Sequence, residues 1–403
     1  DSKGGTPGKI NSVDAIKPDI TAPQIVKAYT TSDSTIVIVF NESIDSSSAC
    51  LVTNYNISEI GKPQKAIPTG PSFVSVLIEL GKKIMPDNIY SVVASNITDC
   101  SSNTITNINT IQFGLPKKPN RFDIVVNEIL FNPFPNGTDY VELYNRSNNI
   151  IDLKDLYLAN RNSASTIDNK NIISQEHQLL FPKDYIVVTK DPSLVKSIYI
   201  CQQPNAFITM DNMPSYNDDK GNVIVMDINE NIIDEISYSD NWHFKLIDNT
   251  EGIALERINI NDTTLIAAAQ EKNWHSASSS SGYGTPTYKN SQYYPEDLFN
   301  GSVNVSPKTF SPDNDGWDDF ITIDYAFEQP GYIANITVFN ASGIPVRYLE
   351  RSSLCGIKGS FRWDGLGEKQ QSLPAGIYVI LTEIFNLEGK KKQFKQAVVL
   401  AKK

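Results

Sequence analysis

"FDIVVNEILFNPFPNGTDYVELYN", residues Phe122 to Asn145, reads as two extended segments around a turn. "FDIVVNEILF" and "DYVELYN" have strand length and are rich in β-branched and aromatic residues. "PNGTD" between them supplies the Pro, Asn and Gly that reverse a chain. The same pattern recurs on both sides. Downstream come "DYIVVTK", "GNVIVMDI" and "IIDEISYS", with "DDKGN" as a further turn. Upstream, "STIVIVFN" (Ser34–Asn41), "FVSVLIEL" (Phe73–Leu80) and "IYSVVASNI" (Ile89–Ile97) alternate or run apolar between turn residues. Near the end, "FITIDYAF", "YIANITVFN", "GIYVILTEIF" and "KQAVVLA" are strands, and "NASGIPV" and "NLEGKKK" are turns. The expected class is all-β: three consecutive Ig-like β-sandwich domains joined by short linkers.

A chain of 403 residues is too long for one ordinary core. Residues 1–18 read as linker, 19–117 as a first sandwich of about seven short strands, and "PKKPN" (Pro116–Asn120) as a stiff connection. Residues 118–285 form the second domain, 286–302 a linker and 303–403 the third. "SASSSSGYGTPTYKNS" has the composition of low-complexity spacer. Two stretches share the pattern S-x-x-G-T-P-x-x-x-N-S: "SKGGTPGKINS" (Ser2–Ser12) and "SGYGTPTYKNS" (Ser281–Ser291). The second closes a long β-rich segment, so the first reads as the tail of an equivalent segment upstream; the other reading is coincidence between two Gly/Pro-rich linkers. With Asp at position 1 and no signal peptide, the expectation is a processed form or a piece of a longer chain.

Composition excludes some roles. A net charge of −11 argues against a binder of nucleic-acid backbones, which needs clustered Lys and Arg. The basic stretch "EGKKKQFK" (Glu388–Lys395) reads as a solvated hairpin tip. No run approaches the roughly 18 apolar residues of a membrane helix, so membrane insertion is not expected. Nucleotide-binding glycine loops and the nucleophile elbow G-x-S-x-G are missing from the sequence.

"FSPDNDGWDDF" (Phe310–Phe320) is the most chemically loaded stretch. Asp313, Asp315 and Asp319, with Asn314 or Asp318 assisting, have the alternation that offers oxygens to Ca²⁺, and Gly316 permits the reversal. An EF-hand is excluded, because its twelfth position would be Thr322 rather than Glu. The competing reading is an acidic turn whose Asp side chains cap their own amides. "SYNDDKGN" and "MDINEN" read as hairpin turns. His177, His243 and His275 lie in no zinc or triad spacing; two of them sit in a repeated N-W-H. Glu128 and Glu142 could form an acid/base pair, but partly buried carboxylates bonded to backbone amides are the favoured reading. In an Ig-like sandwich the second and sixth strands run in the same direction, so Cys50 and Cys100, which follow them, are placed to form a disulfide. Cys201 and Cys355 fall in separate domains as buried free thiols.

The second domain resembles the lamin-tail domain of bacterial secreted proteins, through Val125–Asn145, "LKDLYLAN", "MPSYNDDKGNVIVMD", "DEISYSDNWHF", "EGIALERI" and "NWHSASSSSGYGTP". The third is similar to the Ig-like fold of the flagellar hook-capping protein and to gliding-type C-terminal modules, through "SPDNDGWDDF", "ITVFNASGIPVRYL", "FRWDG" and "LPAGIYVI". It carries D-N-D-G where the gliding motif has N-G-D-G. The first is similar to bacterial surface Ig-like repeats, through "PQIVKAYTTSDSTIVIVFNESID" and "NITDCSSNTI". These resemblances imply secreted or cell-surface modules that bind and space without chemistry of their own.

The expected function is therefore a non-catalytic binding or scaffold array whose partners are an extracellular or cell-surface protein or glycan and upstream domains of the same polypeptide. The alternatives are an accessory region of an upstream secreted hydrolase, with the last domain serving in export or anchoring, and an enzyme gathering Glu128, Glu142 and His243 in a pocket.

Overall fold

The computed structural model describes residues 19–106, 109–263, 270–293 and 301–402. Residues 1–18, and with them the expected tail of an upstream repeat, lie outside the described residues. The chain divides into two compact units, one running to Lys117 and including His177–Leu179, the other holding the remainder from Lys118. Strands dominate throughout; the described α-helices are Ser46–Ala49 and Pro192–Ile198. No helix among the described residues is long and apolar enough to cross a membrane.

The first sandwich has seven strands: β1 (Ile25–Ser32), β2 (Thr35–Phe40), β3 (Tyr55–Ile57), β4 (Lys65–Pro68), β5 (Ser75–Glu79), β6 (Tyr90–Ala94) and β7 (Thr110–Phe113). They form sheets ordered β1-β2-β5-β4 and β3-β6-β7, the arrangement of constant-type Ig domains. Inward alternate residues, Ile36, Ile38, Val76, Ile78, Val92 and Phe113 among them, fill the space between the sheets.

The second sandwich comprises β8 (Ile124–Leu130), β9 (Tyr140–Asn145), β10 (Ile151–Asp152), β11 (Leu156–Arg161), β12 (Ile167–Ile172), β13 (Leu179–Leu180), β14 (Tyr185–Thr189), β15 (Phe207–Thr209), β16 (Lys220–Asp227), β17 (Ile232–Ser239), β18 (Leu255–Arg257) and β19 (Trp274–Ser276). A four-stranded sheet β12-β11-β16-β17 packs on a six-stranded sheet β15-β14-β9-β8-β18-β19. Every residue of β8 and β9 is buried. The inner face explains half of this burial, since Val126, Ile129, Val141 and Leu143 meet Leu158, Val223 and Ile236 in the core. The outer face is covered as well, by Tyr199 and by the segment after β19. Strands covered on both sides read as near-continuous apolar runs.

The stretch with spacer composition is that cover. Ser276, Ala277, Ser278, Thr285 and Thr287 are fully buried, and Asn290 and Gln292 nearly so. Residues 286–293 therefore belong to the second sandwich rather than to a linker. Composition misleads here because a Ser/Thr/Gly segment can lie on a polar surface whose carboxylates require donors. Gly284 is required by the same contact: a Cβ there would sit 2.7 Å from Tyr199 Cδ1 and 2.9 Å from the Tyr140 hydroxyl.

The terminal sandwich, β20 (Ser302–Ser306), β21 (Thr309–Phe310), β22 (Ile321–Ala326), β23 (Ile333–Asn340), β24 (Pro345–Leu354), β25 (Lys358–Trp363), β26 (Gly376–Phe385) and β27 (Lys391–Leu400), pairs as β20-β22-β25 and β21-β27-β26-β23-β24. It is fused to the second sandwich within one compact unit. Phe244 packs with Ile333 and Leu354, Ser279 Oγ donates to Leu354 O at 2.8 Å, and Ile357 N donates to Ser291 O at 2.8 Å.

Candidate functional site

Strand pairing aligns three glutamates across one row of the six-stranded sheet. Glu128 on β8 lies opposite Glu142 on β9 and opposite Glu256 on β18, and His275 on β19 continues the row beyond Glu256. A bulge at Asn127, between the pairs of Val126 and Glu128, turns this residue's amide toward the row. Its side-chain nitrogen donates to Glu142 Oε1 at 2.8 Å and to Asn290 Oδ1 at 2.6 Å. The backbone N–H of Val126 beside the bulge donates to Asp234, whose carboxylate also pairs with buried Arg257 at 2.7 Å.

The strap over this row supplies donors residue by residue. Thr285 N and Oγ1 reach Glu128 at 2.9 and 2.6 Å, and the same hydroxyl lies 2.8 Å from Glu256 Oε1. Thr287 N donates to Glu142, while Ser291 Oγ and Gln292 N both reach Glu256 Oε2 at 2.8 Å. The Tyr140 hydroxyl donates to Glu128. All three glutamates are completely buried. Burial, reinforced by their mutual repulsion, pushes the carboxyls of Glu128 and Glu142 up and that of Glu256 up to about 8.

The expectation that Glu128 and Glu142 are structural carboxylates bonded to backbone amides agrees with this geometry. The pocket that an enzyme reading required does not form around them. His243 lies elsewhere, packed on Phe131 of the inner core and bonded through Nδ1 to Ser276 Oγ at 2.9 Å. Burial pulls its pKa down to about 4. Glu256 and the strap residues were not singled out from sequence. Their signal was present in the recurring G-T-P-x-x-x-N-S, whose Thr, Asn and Ser are the donors.

On the outer side of the strap lies a cleft of about 420 Å³. Its floor and one wall come from the strap, through Ser280, Thr285, Tyr288 and Lys289. The opposite wall is the start of β25, with Lys358 and Ser360, and Gln202 closes one end.

The 313–319 loop brings Asp313, Asp315 and Asp319 together, with carboxylate oxygens within 4.8 Å of one another. Asn314 and Asp318 stand outside that trio, at positive φ of 62° and 50°. Asp319 accepts from the backbone of Asn314 at 2.6 Å and Gly316 at 2.9 Å, and Asp315 accepts from Trp317 N at 2.8 Å. Both sequence readings thus describe the same loop: the carboxylates cap its amides and converge. A second trio, not foreseen, joins Asp19, Glu42 and Asp99 from three separate segments. Asp99 is occupied by its own turn through Ser101, Asn103 and the Asn103 amide.

The disulfide expected between Cys50 and Cys100 is not made; both are exposed free thiols. Cys50 is the C-cap of the Ser46–Ala49 helix, and its Sγ turns back to Ser47 O at 3.3 Å, which directs it along its own helix. Cys201 and Cys355 are free as expected, half-buried and buried.

Residues 117–240 match the family model described as Lamin Tail Domain. That match includes Glu128 and Glu142, while Glu256 and the strap lie beyond it. No curated protein matches the chain by sequence. Among solved structures, the N-terminal part of the bacterial S-layer protein SbsC matches at 17% identity and a TM-score of 0.22, over 41% of this chain and 40% of that one. A DUF4876 family protein from Bacteroides thetaiotaomicron matches at 14% identity and a TM-score of 0.23, over 47% and 78%. A tandem repeat from the extending region of a large adhesion protein matches at 12% identity and a TM-score of 0.17, over 94% and 100%. Residues 117–240 are thus identified with the lamin tail domain by sequence, and the all-β sandwich architecture rests on the strand pairing of this chain.

Proposed function

We propose that this chain is a non-catalytic binding and scaffold array of a secreted or cell-surface protein, whose partner is an extracellular protein or glycan. One observation carries the reading: the carboxylates best suited to acid–base chemistry face inward, and both oxygens of each are engaged by the chain's own donors. A general acid or base must reach the proton it transfers, and these groups reach only the strap. The fusion of the second and terminal sandwiches supports a spacing role, since it gives a stiff unit rather than beads on a string.

The test is incubation of the purified chain with polysaccharide, peptide, phosphodiester and nucleic-acid substrates, alongside binding to glycans and surface-protein extracts. Binding without turnover agrees with the proposal; steady turnover of any substrate, lost in Glu128→Gln, overturns it. We further propose Ca²⁺ as the ion for Asp313, Asp315 and Asp319, because three converging carboxylates on an exposed glycine turn suit a hard cation.

A further inference from the structure

We propose that the cleft between the strap and β25 is a binding site for an oligosaccharide bearing an acidic group, a carboxylate or a sulfate. This deepens the binding-module reading and rests on it.

The walls of the cleft are held in place before any ligand arrives. Ser280 Oγ meets the Tyr325 hydroxyl at 2.5 Å, and Gly356 lies so close to the strap that a Cβ there would be 2.4 Å from Ser291 O. A Cβ at Gly359 would meet the Tyr325 hydroxyl at 2.3 Å. Preformed walls reduce the ordering cost of binding. At about 420 Å³ the cleft falls within the range of small-ligand sites, about 300–1,000 Å³.

Its chemistry is that of sugar recognition. Hydroxyls of Ser280, Ser281, Thr285 and Ser360, with the amides of Gln202 and Asn290, offer paired donors and acceptors. Tyr288 and Tyr293 add aromatic surface for the apolar face of a sugar ring.

The charge is the distinguishing feature. In a chain of net charge −11, no carboxylate is among the described residues lining the cleft, yet two lysines are. Lys289 holds its ammonium 3.9 Å from the centre of the Tyr293 ring. Burial and the positive charge of Lys358 lower its pKa, so both cations act on the same space. The glutamates behind the floor do little to cancel them, because burial favours their neutral forms. An anionic substituent placed between Lys289 and Lys358 relieves their repulsion, and a neutral sugar cannot.

The test is calorimetric titration of the full chain at low ionic strength with trigalacturonate, a sulfated chondroitin disaccharide, neutral maltotriose and sodium sulfate. At least one charged oligosaccharide is expected to bind, about tenfold or more tighter than maltotriose and than sulfate alone. The double variant K289Q/K358Q, with exposed side chains and an unchanged melting temperature, is expected to lose about tenfold in that affinity while keeping neutral-sugar binding. Absence of binding by both charged sugars overturns the inference, as do equal affinity for maltotriose or sulfate and an unchanged affinity in the double variant. Binding of the chain to surface extracts in that case leaves the array function standing, whereas turnover of the oligosaccharide removes the array function.

Discussion

Thr285 gives its backbone N–H and places its hydroxyl on Glu128, at 2.9 and 2.6 Å, across 157 positions of chain. The same hydroxyl lies 2.8 Å from Glu256. A hydroxyl has a single hydrogen, so it cannot donate to both carboxylates at once. One of the two contacts is therefore donated by a protonated carboxyl, which agrees with the upward shift of both acids. The row is a carboxyl–carboxylate network closed by the strap.

Removing that hydroxyl is expected to be costly. Thr285→Val conserves shape but leaves buried oxygens of Glu128 and Glu256 short of partners, a loss of roughly 2–3 kcal/mol. Denaturant unfolding followed through the transition of the second sandwich should show it, and Thr285→Ser should recover most of the loss.

The pH dependence follows from the sign of the shifts. Glu256 titrates near 8 in the fold against 4.5 in the open chain, so the native state holds more protons between those values and its stability falls as pH rises. Asp139, raised to about 7, acts in the same direction. His243 and His275 act oppositely, but their contribution is complete by about pH 6.5. Between about pH 6.5 and 8 the chain is expected to lose stability on the order of 2 kcal/mol. Glu256→Gln should flatten that slope; a stability that climbs through this window contradicts the assignment.

Fusion of the second and terminal sandwiches hangs on close backbone approach. Gly356→Ala forces a Cβ to 2.4 Å from Ser291 O, which costs about 1–3 kcal/mol at the joint. Limited proteolysis should then cut between the sandwiches, and one cooperative melt should separate into two.

Trp317 lies within the acidic loop with 80% of its surface exposed, so it reports on the loop directly. Added Ca²⁺ is expected to change its fluorescence and raise the melting temperature, and chelator should reverse both. Asp315→Asn should abolish the response, whereas an unchanged melt in the unaltered chain dismisses the ion.

Thiol titration separates the cysteines. Cys50 and Cys100 should react rapidly with an aromatic disulfide reagent, Cys201 slowly because burial lifts its thiol to about 11, and Cys355 only on unfolding. A native count without the two fast thiols would indicate that they had paired.

Much of the architecture is local and therefore legible in the chain. Alternation in "STIVIVFN" and "GIYVILTEIF" follows from the two-residue pleat, and these stretches became β2 and β26. Asn340 and Gly343, and Asn386 and Gly389, reverse the chain because amide side chains and glycine satisfy tight turns. The glutamate row is different. Glu128, Glu142 and Glu256 become neighbours through strand register, and Thr285 reaches them only when the sheet exists to receive it. Serine-rich composition is the same for a solvated spacer and for a buried donor strap. What separates them is whether carboxylates lie beneath, and that depends on pairings between residues far apart in the chain.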